Sequence, residues 1–60
     1  MKTLFRHSSD ESIAQTWQQA ALNLKWESSL SYHEGIWYTF AKAPANAQSH
    51  DWDIKFKSLQ

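Results

Sequence analysis

The sequence predicts an α+β fold, a single helix packed on one face of a mainly antiparallel sheet of three or four strands. Three stretches predict it: a helical apolar stripe from Ser9 to Asn23, a hairpin from Lys25 to Lys42, and an alternating run from Asp51 to Ser58. The expected order is β-α-β-β-β, or α-β-β-β if the first segment stays outside the sheet.

Lys2 to Arg6 is a short candidate strand of unclear parity, because Leu4 and Phe5 are adjacent and point to opposite faces of any strand. Ser8 with Glu11 three positions later has the form of a capping box, and Asp10 and Glu11 suit the positive end of a helix. Ile13, Trp17, Ala20, Ala21 and Leu24 then recur on one helical face, opposite Glu11, Gln15, Gln18 and Gln19. The two alanines allow close approach to a sheet. Asn23 is the expected left-handed exit residue.

The hairpin arms alternate. Trp26, Leu30 and Tyr32 share one parity, as do Ile36, Tyr38 and Phe40 on the return arm. A loop of His33, Glu34 and Gly35 sets Tyr32 opposite Ile36, Leu30 opposite Tyr38 and Ser28 opposite Phe40, which gathers the large apolar groups on the core side. Trp37 and Thr39 then fall on the outer face. Ala43 to His50, broken by Pro44, is the long connection, with room for a short helical turn. In the last run Trp52, Ile54 and Phe56 alternate with Asp51, Asp53, Lys55 and Lys57, the pattern of a half-buried strand. The predicted core is Ile13, Trp17, Leu24, Trp26, Leu30, Tyr32, Ile36, Tyr38, Phe40, Trp52, Ile54 and Phe56.

Sixty residues are expected to form one small domain, 1–60, near the lower limit for unaided folding. With no cysteine there is neither a disulfide nor a thiolate zinc site to help. Marginal stability, or support from a second copy, follows. Six acidic and six basic residues balance, which disfavours a dedicated nucleic-acid binder, because such binding depends on neutralising many phosphates. The apolar run at the N-terminus, Leu4-Phe5, is too short for a signal sequence, and no stretch approaches a membrane span. A cytoplasmic protein is expected, with no membrane association.

Chemistry has little foothold. One glycine excludes a phosphate-cradling loop, and neither a cysteine nor a GxSxG elbow supports a nucleophile. No enzyme, cofactor or metal is expected. His7, His33 and His50 lie near Asp10, Glu34, Asp51 and Asp53 in sequence, but strand directions bring at most His7 and His33 to one end, and no recognised metal spacing occurs.

The expected function is therefore non-enzymatic: protein–protein contact through the uncovered sheet face or an edge strand, with an unidentified partner or as a homodimer. Trp37, Thr39, Lys25, Lys55 and Lys57 are the candidate binding residues, Trp37 standing out among polar neighbours. The alternative is a nucleic-acid-binding sheet in which Trp37 stacks and the lysines meet phosphate. If the first strand pairs with the fourth, Glu27 to Ser31, small and polar with one charge and no proline, is left as an edge open to self-pairing.

Overall fold

Lys2–Ser8 does form a strand, and it pairs with the middle of the chain. In the computed structural model, which describes residues 1–60, the elements are β1 (Lys2–Ser8), α1 (Glu11–Asn23), β2 (Glu27–His33), β3 (Ile36–Ala43) and α2 (Ser49–Ser58). β3 lies between β1 and β2 and is antiparallel to both. The two outer strands therefore run the same way without touching, joined by α1. The fold is α+β, as expected, with helices packed on an open antiparallel sheet.

Two elements depart from expectation. Ser49–Ser58 is a helix, not a fourth strand. Its alternation is real, but Trp52 and Phe56 are also four residues apart and share a helical face. Ile54 separates the two periods: it is exposed, as a helix requires. Asp51 in the first turn and Lys55 and Lys57 in the last complement the helix dipole, and the Asp51 carboxylate accepts the Gln48 amide at 3.4 Å. Burial completes the choice, because the helix delivers Trp52 whole into the core.

The second departure is the hairpin register. The loop has two residues, Glu34 and Gly35, and His33 stands opposite Ile36. Both loop residues have positive φ, 50° and 83°, the geometry whose twist matches that of the flanking strands. A shift of one residue moves every side chain of a strand to the other face. Trp37, Thr39, Ala41 and Ala43 therefore face the helices, and Ile36, Tyr38 and Phe40 face away. The parity expected for β2 holds; that for β3 is inverted.

The helix-facing side shows why this register wins. Ala14, Ala20 and Ala21 of α1 and Thr39, Ala41 and Ala43 of β3 are all at most 1% exposed. Small residues on both sides bring helix and strand close, and Thr39 Oγ1 donates to the Ala14 carbonyl at 2.9 Å. Rings the size of Tyr38 and Phe40 have no room there. The bulk of the core enters from the flank: Trp52 is fully buried, and its indole N–H donates to the Trp17 carbonyl at 2.9 Å. Trp17 stacks on Phe56 with centroids 3.9 Å apart. Trp26 meets Trp52 edge-on at 6.3 Å. The Arg6 guanidinium lies 5.2 Å from the Trp17 and Trp52 ring centroids and 2.9 Å from Asp53, tying β1 to α2. Of the predicted core, Ile13, Tyr32 and Ile54 are exposed instead.

The ends of α1 also differ from expectation. Ser8 is held in the ladder opposite Trp37, so Asp10 caps the helix, accepting the Ser12 amide at 2.9 Å and the Ser12 hydroxyl at 2.8 Å. These bonds hold the Asp10 carboxyl below its ordinary pKa. At the exit the left-handed residue is Lys25, φ 67°, rather than Asn23. The Trp26 and Lys25 amides donate to the Ala21 and Leu22 carbonyls, a Schellman arrangement with lysine where glycine is usual.

Two predictions follow from these ends. Lys25→Gly relieves the left-handed strain and is expected to stabilise the protein by about 1 kcal/mol, raising the thermal midpoint by about 4–8 °C. The lowered Asp10 pKa makes its contribution complete above the unfolded value of about 3.8, and that contribution is lost as pH falls through the folded value. Asp10→Ala should therefore lower the melting temperature at neutral pH, with the gap to the parent closing in acid.

Candidate functional site at the open sheet face

Both helices pack on one side of the sheet, which leaves the other uncovered. Its residues stand in rows across β1, β3 and β2: Thr3, Lys42 and Glu27; Phe5, Phe40 and Ser29; His7, Tyr38 and Ser31; and, beside the turn, Ile36 and His33. Aromatic groups fill the two middle rows on β1 and β3. Phe5 and Phe40 have centroids 6.2 Å apart, His7 and Tyr38 6.3 Å, and Tyr38 and Phe40 lie near-parallel at 6.3 Å. Phe5 is 53% exposed, while Tyr38 and Phe40 are half-buried by their neighbours.

Small serines on β2 border the rings. Ser29 beside Phe40 leaves a depression of about 360 Å³, lined by Thr3, Glu27, Ser28, Ser29, Phe40 and Lys42. Lys42 is the one lysine or arginine on this face and stands directly opposite Glu27. The face is thus apolar at its centre, nearly neutral in charge, and polar along the β2 side. Side chains of this kind bury apolar area and accept hydrogen bonds; they do not form a phosphate track.

The residues picked out from the sequence are not brought together. Thr39 is fully buried against α1. Trp37 lies on the helix-facing side near the turn, half-buried, its ring 4.8 Å from that of Tyr32. Lys25 is in the exit turn of α1, and Lys55 and Lys57 are on α2, behind the sheet. Tyr38 and Phe40 were missed because the face was assigned from a three-residue loop, and Phe5 and His7 because the parity of β1 was left open by the adjacent Leu4 and Phe5. A signal was present: three small residues, Thr39, Ala41 and Ala43, at alternate positions, matched by alanines in the helix. No group of three or more His, Asp or Glu side chains forms a metal-binding cluster. His7 and His33 sit on opposite outer strands with β3 between them.

Comparison with protein-family models, with curated proteins and with solved structures finds no match to this chain. No helix is long and apolar enough to cross a membrane.

The open face makes a distinction that stability measurements can read. Phe5→Ser is expected to cost about 1 kcal/mol or less, the scale of one cross-strand pair. Trp52→Ala should cost about 3–5 kcal/mol, a large part of the stability of a domain this small. Urea denaturation of the two variants checks both.

Proposed function

We propose that this chain is a small cytoplasmic, non-enzymatic interaction protein that binds a protein partner through the open face of its sheet. The observation that carries the reading is the stripe of Phe5, Tyr38 and Phe40, uncovered, centred on the face and bordered by serines. Aromatic anchors within a polar rim are the usual energetic centre of a protein interface. The depression beside Phe40 has Phe40 as its one apolar lining residue, whereas small-molecule sites are lined mainly by apolar groups, so it suits an inserted partner side chain better than a whole small molecule.

A second reading rests on the same rings. Three aromatic side chains on adjacent strands of an open sheet suit stacking of unpaired bases. Charge favours the first reading: Lys42 alone on the face, opposite Glu27, gives little attraction for a phosphate backbone.

The test is affinity capture from the native host with the parent chain and with a Phe5→Ser/Phe40→Ser double variant shown to remain folded. A specific protein should be retained by the parent and bind the variant at least about tenfold more weakly. Retention of oligothymidylate that falls steeply with salt would favour the nucleic-acid reading. Equal capture by parent and variant would overturn the open-face assignment.

A further inference from the structure

The outer edge of β2 lacks the devices that keep strand edges apart. Glu27–His33 contains no lysine, no proline and no bulge; it pairs with β3 residue for residue, and nothing pairs with its other side. The two-residue turn makes His33 and Ile36 a hydrogen-bonded pair. In an antiparallel ladder such pairs alternate with non-bonded ones. The backbone groups of residues 27, 29, 31 and 33 are therefore turned toward β3. Those of Ser28, Leu30 and Tyr32 point outward.

We infer that β2 pairs antiparallel with β2 of a second copy, symmetrically about Leu30, to form a continuous sheet with three strands from each copy. This register satisfies the outward phase, because Leu30 meets Leu30 and Ser28 meets Tyr32 as hydrogen-bonded pairs. It also overlaps the whole strand. Glu27 of each copy then stands opposite His33 of the other, and Ser29 opposite Ser31. An acidic residue at one end of the strand and a histidine at the other make it complementary to itself when reversed. β1, the other outer strand, offers no such match: it holds Lys2, Arg6 and His7 and no acidic residue, so a reversed copy brings no opposite charge to any of them. The inference is independent of the open-face reading, although the two aromatic stripes would lie on one side of the joined sheet.

Cross-linking tests the register directly, since the chain has no native cysteine. Ser29 and Ser31 of opposite copies would form a non-hydrogen-bonded pair, close enough for a disulfide. Along a single strand their Cβ atoms are too far apart to close one. The S29C/S31C double variant should oxidise to a covalent dimer, while S29C and S31C alone should not. Sedimentation of the parent chain should show a concentration-dependent monomer–dimer equilibrium. His33→Glu, which sets glutamate against Glu27 twice per dimer, should weaken that equilibrium about two- to thirty-fold; His33→Lys should leave it intact or strengthen it. A parent chain that stays monomeric to about 1 mM would overturn the inference. So would single variants that cross-link as readily as the double one, or a dimer that the double variant fails to trap.

Discussion

Close contact between α1 and β3 is the constraint from which the remaining structure follows. Ala14, Ala20 and Ala21 on the helix meet Thr39, Ala41 and Ala43 on the strand, all essentially without solvent exposure. Two such surfaces pack at short range only if neither carries bulk, and protein interiors tolerate few voids. The large side chains are therefore displaced in two directions. Trp17, Trp26, Trp52 and Phe56 collect beside the contact, where α2 closes over them. Tyr38 and Phe40 go to the opposite face of the sheet, where Phe5 joins them.

The same constraint joins stability to the proposed function. A core with alanines at its centre relies on Trp52 for much of its buried apolar area, and Trp52 arrives from the last element of the chain. Arg6, held between the Trp17 and Trp52 rings and bonded to Asp53, fixes that element to β1. With both helices committed to one side, the aromatic side of the sheet is left uncovered and the outer edge of β2 unpaired. The edge offers unpaired backbone groups and the face offers rings, so the two proposed contacts differ in kind: backbone pairing at one, ring burial at the other.

Much of the fold was legible in the sequence, and the losses have definite causes. The helical stripe around Trp17, the hairpin and the parity of β2 all follow from hydrophobic period. The last segment satisfied two periods at once, and only the environment of Ile54 separates them. The hairpin turned on one residue of loop length: Glu-Gly as a two-residue turn was read as His-Glu-Gly, and the error propagated along all of β3. The candidate site was lost with it. Trp37 and Thr39 were chosen for the face they would occupy, and Tyr38 and Phe40 were set aside because large apolar groups were assumed to need the core. Matching small residues on two elements, rather than large ones, held the decisive information.

The most direct test of this account is a nuclear Overhauser map of the folded chain in solution. It predicts cross-peaks between the methyl groups of Ala41 and those of the α1 alanines, and between the rings of Phe40 and Phe5, with no contact from the Tyr38 or Phe40 ring to α1. Cross-peaks from those two rings to Ala14, Ala20 or Ala21 would place β3 the other way up and contradict it.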